Sequence, residues 1–158
     1  MRTLLKHFSE SSALIWAALF PVTYLLHIAE EYYCGSGFPQ YMLKYYHVEL
    51  TEARFLILQL IGVIAMIVGL WLSTKLRFPK TMLVILGSVV LTNGAIHLMR
   101  SAANARYEPG VITGVLLWIP LGLTTIYLNR AEMSLNRLIS SIAIGLGISG
   151  LVELIQAL

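Results

Sequence analysis

Apolar residues come in five long runs, Ala13 to Leu26, Phe55 to Leu72, Met82 to Leu98, Val111 to Leu128 and Leu138 to Leu158, and the short stretches between them hold most of the charge. The runs lack both the period of 2 of a half-wet strand and the period of 3.6 of a half-wet helix, so they are apolar on every side. A helix needs about 17 to 25 such residues to cross a bilayer. The last four runs reach that length, and the first does if His27 to Glu31 continue it. The pattern predicts an all-α fold, a polytopic membrane bundle of about five transmembrane helices forming one domain over residues 1–158.

Breakers and small residues refine the picture. Gly35, Gly37 and Pro39 are expected to end the first helix just past its glutamates. The one long connection, Tyr32 to Thr51, carries Tyr32, Tyr33, Phe38, Tyr41, Tyr45 and Tyr46, a density that fits an interfacial belt lying over whatever is beneath it. Pro21 and Pro120 can kink the first and fourth helices, with a neighbour satisfying the freed carbonyl. Ser141, Gly145 and Ser149, and Gly110 with Gly114, stand four residues apart and predict close helix packing.

Composition agrees with lipid as the solvent: 58% of residues are hydrophobic, 12% are charged and aspartate is absent, with a mean hydropathy of +0.77. Lys and Arg are unevenly placed. Arg2, Lys6, Lys75, Arg77, Lys80, Arg130 and Arg137 fall on one face, and Lys44, Arg54, Arg100 and Arg106 on the other. That bias favours a cytoplasmic N-terminus in a plasma (inner) membrane. The net charge of +3 then reflects topology and gives no reason to expect nucleic acid. Arg2 and Lys6 before an apolar run imitate a signal peptide, but no small-x-small cleavage site follows, so the first helix is expected to stay. Lone Cys34 excludes an internal disulfide and a Cys-rich metal site.

The candidate chemistry lies in the polar residues that interrupt the runs. In "HIAEE", His27, Glu30 and Glu31 share one helix turn; in "NGAIH", Asn93 and His97 share a face; Glu153 stands alone in the fifth run. These three helices run the same way in a five-span arrangement. At 1.5 Å per residue, His27 lies about 21 Å above Ala13, Asn93 and His97 about 17 and 23 Å above Met82, and Glu153 about 23 Å above Leu138. The receiver of "HIAEE" is therefore expected to be the "NGAIH" face, with Glu153 at the same height.

Two imidazoles and two or three carboxylates at one depth support three chemistries. His27 and one glutamate of the pair, completed by His97, make a two-His, one-carboxylate set for zinc or iron, and the spare glutamate can serve as general base. Without metal, Glu30 and Glu31 can divide acid and base roles. The third option is a proton or cation path. Singly, Glu30 and Glu31 read equally well as interfacial residues and His97 as a packed histidine bonded to Asn93 or a carbonyl. A chance meeting of all of them at one depth is the harder explanation. Arg100 suits a lipid phosphate or a substrate anion, although snorkelling also explains it. Tyr107 is placed to reach the cluster from "YEPG", first of all a turn and helix start. Cys34 and His47 read as an interfacial thiol and a loop histidine.

With these residues in view, the sequence resembles the HXXEE-domain family of integral membrane proteins. The resemblance rests on "HIAEE" (His27, Glu30, Glu31), "NGAIH" (Asn93, His97) and "YEPG" (Tyr107, Pro109, Gly110), in that order. It implies a membrane protein and brings no reaction, metal or substrate. The residues themselves lead to a metal-dependent, hydrolase-like membrane enzyme, with His27, Glu31 and His97 holding zinc or iron. Glu30, Glu31 and Tyr107 would do the chemistry, and Asn93, Arg100 and Glu153 would orient ligands or substrate. The expected partners are membrane lipids and a lipid-like substrate. The competing readings are oxidation at iron, a metal-free lipid isomerase, a proton or cation transporter and a non-catalytic membrane module.

Overall fold

The computed structural model describes residues 2–158, with side-chain surroundings from Ile15 onward. The first helix, α1 (Arg2–Tyr33), carries "HIAEE" without a break. The helix begins at Arg2, before the apolar run that opens at Ala13, and the side chains of Arg2 and Lys6 lie outside the described surroundings. Gly35 and Gly37 then adopt φ of +63° and +79°, a region open to glycine at no steric cost, and the chain turns.

The tyrosine-rich connection folds as a short helix, α2 (Phe38–Tyr46), which its belt-like composition did not disclose. Pro39 sits in its first turn, where a missing N–H costs nothing. α3 (Glu52–Lys75) is capped by the Thr51 hydroxyl, which accepts from the Arg54 backbone N–H at 3.2 Å. α4 (Pro79–Asn104) follows after a short turn. The next span is continuous but not uniform: α5 (Val111–Thr113), a π-helical turn over Gly114–Trp118, and α6 (Ile119–Arg130). Pro120 cannot donate to the carbonyl of Leu116, and the wider turn before it makes room for the ring. α7 (Leu135–Ala157) ends the fold.

Among the described residues, α3, α4, the Val111–Arg130 span and α7 are each long and apolar enough to cross a membrane. Their outer faces agree, for Ile57, Leu60, Ile64 and Ile67 of α3 and Ile139 and Leu146 of α7 are exposed. In water such a surface would be an association site; against acyl chains it is matched. This is a membrane protein of all-helical fold.

α4 is the hub, touching α3, α5, the π turn, α6 and α7. Close approach depends on small residues, as the four-residue spacing predicts. A Cβ on Gly122 would fall 2.4 Å from the Gly87 carbonyl oxygen, and one on Gly145 would fall 2.6 Å from that of Ile85. Ser141, Gly145 and Ser149 are all buried along α7. Phe20, Met66, Leu83, Leu86, Val90, Trp118 and Leu121 fill the interior where α1, α3, α4 and the Val111–Arg130 span meet. At one end of the bundle Lys80 pairs with Glu132, and Arg137 donates to Thr81 at 2.6 Å. At the other end, where α1 finishes, the remaining polar residues gather.

Candidate metal centre

His27 and Glu31 project from successive turns of α1, and His97 meets them from α4. Glu31 Oε1 lies 3.6 Å from His27 Nε2 and 3.4 Å from His97 Nε2. One donor atom from each of the three lies within 4.8 Å of the other two. Exposure is 1% for either histidine and 2% for Glu31. Two atoms each about 2.0–2.1 Å from a tetrahedral zinc ion stand about 3.3–3.4 Å apart, so the two separations from Glu31 are within a few tenths of an ångström of that value. His27 Nε2 is buried with no hydrogen-bond partner, which is what a vacant lone pair aimed at a cation looks like. The group can hold a metal ion.

The surrounding hydrogen bonds favour the same conclusion, because they fix which nitrogen of His27 carries the proton. The Thr113 hydroxyl donates to Glu30 Oε2 at 2.5 Å, and His27 Nδ1 lies 2.7 Å from that hydroxyl oxygen. A hydroxyl has one hydrogen. With that hydrogen on Glu30, Thr113 accepts from His27 Nδ1–H, and Nε2 is left as the free lone pair facing Glu31 and His97. Glu108 Oε1 stands 3.1 Å from His97 Nδ1, within ion-pair reach although the angle between them makes no hydrogen bond. Glu31 is steadied through its other oxygen, which accepts from Gln59 Nε2 at 2.7 Å, and Gln59 Oε1 in turn accepts from the Tyr24 hydroxyl at 2.8 Å. Removing the Thr113 hydroxyl should therefore loosen the site while leaving the fold. Thr113→Val is expected to weaken metal binding by about tenfold in a competition titration with a chelator, and unchanged affinity would show that the hydroxyl does not set the tautomer.

Glu30 is held differently from Glu31. It accepts from the Tyr107 hydroxyl at 2.8 Å, from the backbone N–H groups of Ile112 and Thr113 at 2.9 and 2.7 Å, and from the Thr113 hydroxyl. Both oxygens are engaged, and the carboxylate satisfies N–H groups that open the Val111–Arg130 span. Burial, then the hydrogen bond to Glu30, hold the Tyr107 phenol above its usual pKa, so it remains a donor.

The rest of the enclosure is aromatic and tight. Trp118, on the π turn, stacks on His27 with ring centroids 3.7 Å apart. Phe38 of α2 approaches His97 at 5.6 Å, so the aromatic connection does cover the site. Gly110, at φ +97°, presses its backbone against both imidazoles.

Other expected members are elsewhere. Asn93 is half-buried one turn along α4 from His97, and its Oδ1 has no hydrogen-bond partner. Glu153 pairs with Arg100, which also stands 3.7 Å from Glu108. Cys34 is exposed, and His47 is an exposed left-handed cap on α2. The decisive omission is Glu108, 0% exposed. It occupies the variable position of "YEPG" and, with Thr113, Gln59 and Trp118, was given no part in the site. The available signal was a carboxylate placed between Tyr107 and Pro109 directly before an apolar run. Glu108 and Glu153 share the one guanidinium of Arg100, and Glu31 meets only the two imidazoles, so a divalent ion or a protonated imidazole would offset negative charge at this end of the bundle.

Compared with known proteins, residues 18–125 match the model of a family described as a protein of unknown function with HXXEE motif. That stretch contains the three candidate ligands and Glu30, Gln59, Glu108 and Thr113, and leaves out Glu153. No curated protein and no solved structure matches the chain.

Proposed function

The chain belongs to the HXXEE family, whose function is unknown, and from that premise we propose that it is a metal-dependent membrane enzyme acting on a lipid-like substrate. The observation that carries the reading is the three-donor set His27, Glu31 and His97, each member with its far side tied to a separate partner. Two imidazoles and a carboxylate suit zinc or iron. A divalent ion held there by His27, Glu31 and His97 would supply Lewis acidity for hydrolysis.

The chain's own residues divide the remaining work. Thr113 holds His27 in the Nδ1–H tautomer, Glu108 stands within ion-pair reach of His97 Nδ1, and Gln59 leaves one oxygen of Glu31 free. Glu30, with four donors on its two oxygens, positions Thr113 and the start of the Val111–Arg130 span and is not an open base. Tyr107 keeps Glu30 in place. Phe38 and Trp118 exclude water from the ligands, as acyl-chain chemistry in a dry site needs. Arg100 and Asn93 remain the candidates to orient the polar part of a substrate. The Lys and Arg distribution supports an N-terminus in the cytoplasm of a plasma (inner) membrane, with the site toward the opposite surface.

Elemental analysis of the purified full-length protein tests this reading. About one equivalent of zinc or iron per chain is expected, lost in both His27→Ala and His97→Ala. A protein without stoichiometric metal, or with metal that survives both substitutions, would overturn it.

One observation favours a second reading. The same short separations between Glu31 and the two imidazoles suit a carboxylate clamped by protonated histidines, and then catalysis would be metal-free proton transfer. Activity that survives chelation and disappears in Glu31→Gln would select it. A transport role is less well supported, because the buried side chains of α4 away from the site are Leu83, Val84, Leu86, Ser88 and Val90, a poor lining for a polar path.

A further inference from the structure

In the angle between α3 and α7, both packed on α4, lies a cavity of about 470 Å³. Cavities that enclose small molecules run from about 300 to 1,000 Å³. Its walls are aliphatic and methionine side chains, and its polar lining side chains are Tyr24, Gln59 and Gln156. The first two are the pair that lead to Glu31 by hydrogen bonds of 2.8 and 2.7 Å. The polar end of the cavity is thus one side chain away from the metal ligands. Ile61 and Ile144 line it while being 57% and 50% exposed, so it opens sideways, onto the surface that faces acyl chains.

Its far end is narrowed by two of its lining residues. Gly69 and Met82 both line it, and the Met82 methyl lies 3.2 Å from where a Cβ on Gly69 would stand. A spanning helix of a second copy would have to continue past that floor, whereas a hydrocarbon chain can stop at it. Gln59 and Gly69 are ten positions apart on α3, about 15 Å of helix. Carbon–carbon bonds of about 1.5 Å advance a zigzag chain by about 1.3 Å per atom, so about a dozen carbons cover the distance.

We infer that the substrate of the proposed site is a single-chain amphiphile whose alkyl tail of about a dozen carbons enters between α3 and α7 and whose hydrogen-bonding head stops at Tyr24 and Gln59. This rests on the enzyme reading above for the word substrate, and on the cavity alone for the binding. The head is any group that exchanges hydrogen bonds with an amide and a phenol, an alcohol, ester or carboxylic acid among them. Gly69 is the length stop.

The test uses the full-length protein in lipid nanodiscs, with a dodecanoic acid bearing a photoreactive diazirine on its tail as the probe and peptide mass spectrometry as the readout. Label should concentrate on Ala65, Met66 and Met82. Dodecanol should compete at least about tenfold better than hexanol or eicosanol, a difference of about 1.4 kcal/mol. Gly69→Leu should move the best competitor to a shorter alcohol. Ile148→Trp, filling the opposite wall, should remove most of the label. Label spread evenly over the outward faces of all the helices, competition indifferent to chain length, or a covalent dimer joined through this groove would each overturn the inference. Metal content measured on the same samples separates the two proposals: specific label in protein without metal upholds the cavity and sinks the metal reading, and metal without specific label does the reverse.

Discussion

Replacing Gly110 by alanine is expected to abolish metal binding and to destabilise the fold by about 2–5 kcal/mol. The backbone there has φ +97°, a conformation that costs an L side chain about 1–2 kcal/mol. The added methyl would also fall 2.8 Å from His97 Cε1 and 2.9 Å from His27 Cε1, and overpacking of that kind costs about 1–3 kcal/mol more. Neither ring can retreat. Behind His27 is Trp118, its centroid 3.7 Å away, and beside His97 are Phe38 and Glu108. Thermal unfolding and metal content, measured together in detergent, check both parts. Gly147→Ala is the control: a Cβ there meets nothing within 4 Å, and both quantities should stay at the parent value. A Gly110→Ala protein that keeps its metal would mean that the imidazoles are not confined as described.

The second large effect belongs to Glu108. Glu108→Gln keeps the shape of the side chain and removes the charge that stands 3.1 Å from His97 Nδ1. Outer partners of metal-bound histidine raise its basicity and fix its ring, and losing one typically costs about 10–100-fold in affinity. A competitive chelator titration should record a loss in that range. Arg100 would keep Glu153 as a partner, so the variant is expected to fold. Glu153→Gln separates a direct role from a general charge effect: Glu153 meets Arg100 and none of the candidate ligands, and its loss should move the affinity by less than about threefold, or about 0.7 kcal/mol. If the two variants behaved alike, Glu108 would be acting only as bulk negative charge.

The spans were legible because lipid imposes a rule that does not depend on neighbours: a run is either long and apolar enough or it is not. His27, Glu31 and His97 were legible for a related reason, since a depth argument needs only chain direction and rise per residue. Height says nothing about azimuth, however. Glu153 has the right height but reaches Arg100 rather than the histidines, and Asn93 shares the helix of His97 without meeting the ligands. Glu108 was hidden by its setting. A glutamate in a short connection normally faces water, and its place before an apolar run does not by itself say that this connection dips inward until Glu108 is fully buried. α2 was missed because Phe38–Tyr46 has the composition of an interface belt whether or not it is helical. The π turn needs a tertiary reason, the room that Pro120 takes, and a local pattern cannot supply it.

The clasp on Glu30 has a consequence for how the protein is made. During synthesis α1 emerges with both carboxylates bare, and the backbone groups that receive Glu30 come 82 and 83 residues later. Until the start of the Val111–Arg130 span leaves the ribosome, the end of α1 must stay at the water boundary, because an unpaired carboxylate is rejected by hydrocarbon. The helix can therefore settle to its final depth only after α3 and α4 have been made and Thr113 has followed them, so the first helix to be translated is seated later than those two spans that come after it.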